Sequence, residues 1–191
     1  MKKHLITALL MTAITTVLLG LIYPLTITAL AQAFFREKAN GQIIYRNGKA
    51  IGSRIIGQPF TGPQFFHSRP SSAGNGYDAM RSGGSNLAPT NKKLIDAVEG
   101  QVQSEHRHGA GNVPIDLVTS SASGLDPDIT PAAAYYQVRR VARARGMNES
   151  VLRRLVEQHT EPRELGFLGE ERVNVLELNL ALDQWLPNHP R

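Results

Sequence analysis

The chain has no cysteine, which excludes disulfide staples, cysteine nucleophiles and thiolate metal sites. Lack of thiols suits an oxidising compartment without requiring one. Several phosphate and nucleophile signatures are missing as well. No G-x-x-x-x-G-K-[ST] loop is found; the nearest approach, Gly41 to Gly48-Lys49-Ala50, has its glycines too far apart and no hydroxyl after the lysine. Neither G-x-G-x-x-G nor G-x-S-x-G occurs, so a Rossmann phosphate site and a serine-hydrolase elbow lack their sequence marks. Internal repeats and low-complexity tracts are also absent. Within 191 residues there is room for one domain and an appendage.

What is abundant is apolar sequence at the start. From Leu5 to Phe35 the only ionisable side chain is the Tyr23 phenol. A helix rising about 1.5 Å per residue crosses a bilayer with roughly 20 apolar residues, so this run spans with length to spare. Pro24 removes one backbone hydrogen bond and is expected to bend the helix. A secretory signal is the rival reading, since "MKKH" is a basic n-region and Ala29-Leu30-Ala31 and Ala31-Gln32-Ala33 match the cleavage pattern. Signal cores are typically about 7–15 residues, and the length here favours an uncleaved anchor. Lys2, Lys3 and the amino terminus precede the run; Arg36 and Lys38 follow it with Glu37 between them. That balance slightly favours an inside N-terminus. The expected organisation is 1–4 inside, 5–33 as the anchor, and 36–191 as an outer α+β domain.

The net charge of +5 falls to +3 once Lys2 and Lys3 are set aside, leaving 19 basic and 16 acidic residues. Nucleic acid is not needed to explain it. The one dense basic cluster, Arg139, Arg140, Arg143, Arg145, Arg153 and Arg154, reads as a solvated helix face, with docking to an acidic partner or phospholipid as the alternative.

Beyond the anchor, Asn47-Gly48 is a type I′ turn pair, predicting a hairpin with strands Ile43–Arg46 and Lys49–Ile56. Residues 61–90 form a long Gly-, Pro- and Ser-rich segment whose Phe65, Phe66 and Tyr77 argue for an ordered loop. Helices are expected over 91–107, capped by Thr90 or Asn91 and inward through Leu94, Ile95, Val98 and Val102, then over 131–145 with Thr130 as N-cap, and over 148–159. "VPIDLV" (113–118) resembles a short buried strand. Asn174 with Glu177 starts a final helix to about Trp185, although Val173 and its neighbours also fit a strand.

Candidate chemistry is sparse. Ser85, after two glycines, with His67 in "FFHSRP", is a loose hydrolase suggestion, outweighed by a local turn and a hydrogen-bonded loop histidine. Glu105, His106 and His108 read as a solvated helix end rather than a metal site. In "LVTSSASGLDPDITP" (117–131), Ser123-Gly124 can present amides as an anion nest, yet Asp126 and Asp128 repel phosphate. Physical reasoning prefers a helix-entry structure there.

Seven strings in order resemble one family, the C subunit of the bacterial Kdp potassium-transporting P-type ATPase. They are "YPL", "ANGQII", "GSRIIGQPF", "FFHSRPSS", "SGGSNLAPTN", "VPIDLVTSSASGLDPDITPAAAYYQVRRVARARG" and "LGFLGEERVNVLELNLALD". The resemblance implies a single-pass protein of the bacterial inner membrane with a periplasmic domain. It implies assembly with a channel-like A subunit, an ATP-hydrolysing B subunit and a small F subunit, potassium being the transported ion. It also implies a catalytic chaperone that raises ATP affinity in the B subunit, without chemistry or a firmly bound cofactor of its own. By the same resemblance Ser121, Ser123, Gly124 and Asp126 form a candidate nucleotide-contact loop. Phe66, His67, Arg69, Ser85, Asn86, Arg139, Arg140 and Arg143 are candidate partner-docking residues. A periplasmic loop would be out of reach of cytoplasmic ATP, so the expected effect on nucleotide affinity is indirect.

Overall fold

The computed structural model describes residues 1–107 and 111–188. It divides into two units, Met1–Ile43 and Ile44–Arg191.

In the first unit, helices α1 (Lys2–Val17) and α2 (Tyr23–Phe34) are joined by a π-helical turn at Leu18–Ile22, giving one apolar helix from Lys2 to Phe34 with a mean hydropathy of 2.4 over its most apolar window. At about 50 Å it is long and apolar enough to cross a membrane. The π turn has a local cause. Pro24 has no N–H to give to Gly20, and its ring crowds that carbonyl, so the helix widens just before it. The Tyr23 N–H accordingly donates to the carbonyl of Leu18 rather than Leu19. The expected bend is thus taken up as a bulge. Thr7, Thr15 and Thr26 donate their hydroxyls to carbonyls four residues back, which satisfies these polar groups within the helix. Helix α3 (Arg36–Ala39) follows as a single turn.

The second unit is a mixed helix and sheet domain. Strands β1 (Ile43–Arg46) and β2 (Lys49–Ser53) pair around Asn47 (φ 52°) and Gly48 (φ 74°), the positive angles a type I′ turn requires. Strand β2 stops at Ser53, three residues before the expected end. After the long loop come α4 (Lys92–His106), β3 (Asp128–Ile129), α5 (Pro131–Arg145), α6 (Glu149–Gln158), β4 (Thr160–Glu161), β5 (Arg172–Asn174) and α7 (Val175–Asn188). Strand β5 is the centre of an antiparallel sheet ordered β3-β5-β4, with Ile129 opposite Val173 and Thr160 opposite the same Val173.

Local signals explain the helix starts. The side chains of Asn91, Thr130 and Asn148 each accept an amide N–H in the first turn of α4, α5 and α6. Asn174 Oδ1 accepts the Glu177 N–H and opens α7 directly from β5, so strand and helix meet at one residue. One expectation fails: "VPIDLV" is a 3₁₀ turn at Ile115–Leu117, not a strand. Pro114 starts the turn, and the buried Asp116 carboxylate turns away to accept the Thr130 N–H at 2.7 Å.

The core lies between α5, α6, α7 and β5, built from residues such as Val138, Val141, Leu152, Val156, Val173, Leu178 and Leu182. Phe66 from the long loop is fully buried among them. By contrast α4 buries no residue, and Ile95 on its expected inward stripe is exposed.

Candidate functional site

The 61–90 segment is ordered because helices supply the hydrogen bonds a neighbouring strand would otherwise give. Asn179 on α7 accepts the Phe66 N–H and donates to the Phe66 carbonyl, both at 2.9 Å. Gln137 on α5 accepts the His67 N–H at 2.7 Å and donates to the His67 carbonyl at 3.1 Å. Each side-chain amide thus copies one rung of a sheet, satisfying backbone groups that are costly to bury unpaired. Arg140, only 9% exposed, donates to the carbonyls of Pro63 and Phe65 and to Gln137 Oε1. Burial lowers its affinity for its proton, with the Glu105 charge opposing that shift. Arg145 donates to Gln64 O and Asp183 and lies over the Phe65 ring. The expectation of a solvated basic face therefore needs correction at Arg140 and Arg145, which are sunk into the loop's underside. Arg139, Arg143, Arg153 and Arg154 are exposed.

The rest of that loop, from Ser71 to Gly83, holds the "SASGLDPD" turn at 121–128. Ser71 donates to the Gly124 carbonyl, and both Ser82 Oγ and the Gly83 N–H donate to the Ser123 carbonyl. The Gly57 N–H donates to the Leu125 carbonyl at 2.8 Å. Gly124 sits at φ +65°, and an added Cβ would fall 2.6 Å from the Ala73 nitrogen and 2.8 Å from the Gly83 oxygen. Glycine is thus required twice over, by backbone angle and by space. Of the expected anion nest the Gly124 N–H is engaged, donating to Ser121 Oγ, and the next amide, Leu125 N–H, donates to Ser123 Oγ. Asp126 accepts the Asp128 N–H on one oxygen and pairs with Arg69 at 3.2 Å on the other.

Beneath this turn is a cavity of about 300 Å³ whose lining includes Arg69, Asp116, Asp126, Asp128, Thr130 and Arg172. Burial raises the Asp128 pKa, and the Asp126 and Glu161 charges add to that rise; a hydrogen bond from Asn174 and the Arg172 charge oppose it. The cavity holds more acid than base and disfavours a phosphate. Among the described residues no group of His, Asp and Glu is arranged to hold a metal ion. His108 of the expected Glu105–His108 group lies outside the described residues; His106 is exposed.

The remaining candidates fall into separate environments. Ser85 and Asn86 are exposed, Ser85 Oγ accepting the Leu87 N–H in its own turn and Asn86 standing at φ 53°. The His67 Nε2 donates to the Gly62 carbonyl at 2.8 Å, which places its proton there and leaves the Arg140 guanidinium, 3.4 Å away, without an acceptor on that nitrogen. Phe66 is fully buried and Arg140 is turned into the domain. Sequence reasoning missed Gln137, Asn179 and Asp116; the only signal was a lone polar residue on an otherwise apolar stripe.

The family model for "K+-transporting ATPase, c chain" matches residues 5–184. A potassium-transporting ATPase KdpC subunit of Koribacter versatilis is 66% identical over 188 residues, 98% of this chain and 97% of that one. The protein of the same name from Acidobacterium capsulatum is 60% identical over 182 residues, covering 95% and 98%. That of Mycobacterium tuberculosis is 51% identical over 188 residues, covering 96% and 100%. With its apolar leading helix, its small mixed domain and these matches along almost its whole length, the chain belongs to the KdpC family of potassium-transporting ATPase subunits.

Proposed function

We propose that the chain is a non-catalytic, membrane-anchored subunit that holds an ATP-driven potassium uptake pump together. Its partners in this reading are a channel-like A subunit, an ATP-hydrolysing B subunit and a small F subunit. The anchor crosses the inner membrane with the N-terminus inside, and the domain is periplasmic. The observation that carries the reading is the state of the best candidate site. Its carbonyls and both of its aspartates are bound to other parts of the same domain, and two of its amides to its own serines, as expected of an internal stitch. Any rise in the ATP affinity of the hydrolysing subunit is then passed through subunit packing. Cells lacking only this chain should fail to take up potassium at limiting concentration; normal uptake by the other three subunits would refute the role.

Direct nucleotide contact through the Ser121–Asp128 loop is the second reading. It draws on the exposed hydroxyls of Ser121 and Ser123, 3.3 Å apart at the surface of the turn. Gly124→Val is a poor probe of it, because the added side chain would drive the turn off Ala73. Ser123→Ala in the full chain is the cleaner one: saturable ATP binding that weakens with it would favour direct contact.

A further inference from the structure

Between β4 and β5 the chain makes a second loop, residues 162–171, "PRELGFLGEE", which projects apolar side chains instead of burying them. Leu165, Phe167 and Leu168 are 81%, 69% and 49% exposed. Elsewhere in this domain, among the described residues, the large exposed hydrophobic residues stand singly, as at Ile55, Met80, Ile95 and Ile115, or as the pair Ile43 and Tyr45 on β1. Scattered exposure of that kind is ordinary, whereas three such residues within four positions form a patch that marks an interaction site.

The patch is held in shape. The Glu164 and Leu168 backbones exchange hydrogen bonds at 2.9 Å in both directions, and the Phe167 N–H also donates to the Glu164 carbonyl. Leu165 (φ 53°) and Gly166 (φ 83°) make the turn between them, so a leucine occupies a backbone region that non-glycine residues usually avoid. Strain of this kind persists where the surroundings impose it and collects at binding sites. At the loop's base Arg172 pairs with Glu161 at 2.7 Å and approaches Glu164 at 3.5 Å. A preformed tip loses little freedom on docking.

Charge selects the kind of surface it fits. Residues 162–171 carry Arg163 against Glu164, Glu170 and Glu171, a net of 1 − 3 = −2, and these glutamates are exposed. Anionic lipid headgroups attract basic segments and repel acidic ones, which disfavours a membrane surface. A protein groove with an apolar floor and a basic rim satisfies both the side chains and the glutamates. Membership in a family of ATPase subunits supplies the setting, a complex with other polypeptides.

We infer that the Leu165–Leu168 tip is the anchor by which this domain docks onto another subunit of the pump, entering an apolar groove rimmed by basic residues. The inference rests on the assembly role proposed above. Its test uses the full chain in the assembled pump, with a benzophenone amino acid at position 167 and, separately, at the exposed Met80. Irradiation should join position 167, but not position 80, to a second subunit of the purified complex. In the Phe167-substituted chain, Glu170→Lys with Glu171→Lys should lower that yield at least tenfold. Lipid adducts alone, no adduct, or equal yields from 167 and 80 would overturn the docking site, and a yield unchanged by the charge reversal would overturn the basic rim. A complex that assembles while position 167 stays unreactive removes this inference and leaves the assembly role standing. A pump that is complete and active without the chain removes both.

Discussion

The two irregular loops of the domain make opposite use of the same residue types. Both carry phenylalanine, and both lack regular strands. In 61–90, Phe66 is fully buried and its own and its neighbours' backbone groups are paired by Asn179, Gln137 and Arg140. In 162–171, Phe167 faces solvent and, among the described residues, the backbone hydrogen bonds of the tip run between residues 163 and 168. A loop becomes part of a core when other elements satisfy its amides and carbonyls, since apolar burial otherwise leaves them unpaired. A loop that satisfies itself is free to present its apolar residues outward.

The same substitution in the two loops should therefore have very different consequences. Phe66→Ala removes a fully enclosed ring and is expected to cost about 3–5 kcal/mol in denaturant unfolding of the full chain. Next in size is Asn179→Leu, which keeps apolar volume but orphans the Phe66 N–H and carbonyl. With about 1–3 kcal/mol per unpaired buried group, a loss of about 3 kcal/mol is expected, together with earlier proteolysis in 61–90.

A smaller effect is expected at Asp128, where burial and the neighbouring Asp126 and Glu161 charges raise the carboxyl's pKa against the opposing influence of Asn174 and Arg172. The folded state then holds this proton more tightly than the unfolded chain does. Its contribution favours folding below the ordinary value of 3.8 and is lost as pH rises through the raised folded value. Asp128→Asn should flatten that fall, so its stability relative to the parent rises with pH across this window. Phe167→Ala is expected to shift unfolding by less than about 0.5 kcal/mol, because an exposed ring contributes little. A large loss there would show that the tip is packed rather than presented, and would dissolve the contrast with Phe66.

What was legible in the sequence was local. Asn47-Gly48, Asn91, Thr130-Pro131, Asn148 and Asn174-Glu177 act over two to four residues, and each marks the turn or helix start it occupies. The apolar run fixed the candidate membrane helix for the same reason, though the π turn before Pro24 was not expected. What was hidden depends on distant partners. Asp116 reads as part of a strand until its carboxylate is seen to bind Thr130, 14 residues on. Gln137 and Asn179 look like ordinary polar residues until they meet His67 and Phe66, 70 and 113 residues away. Strands β3 and β4 have two residues each, too short to show an alternating pattern. In the candidate site, the small polar residues of "SASGLDPD" announced a turn. That its amides would be engaged by its own serines, and its carbonyls by Ser71, Ser82 and Gly83, depended on how two loops meet.

The assembly role is tested most directly by purifying the other pump subunits without this chain and measuring potassium-stimulated ATP hydrolysis before and after the full-length chain is added back. Hydrolysis is expected to be absent at first and restored as the chain approaches one copy per complex. Full potassium-stimulated hydrolysis before the addition would contradict it.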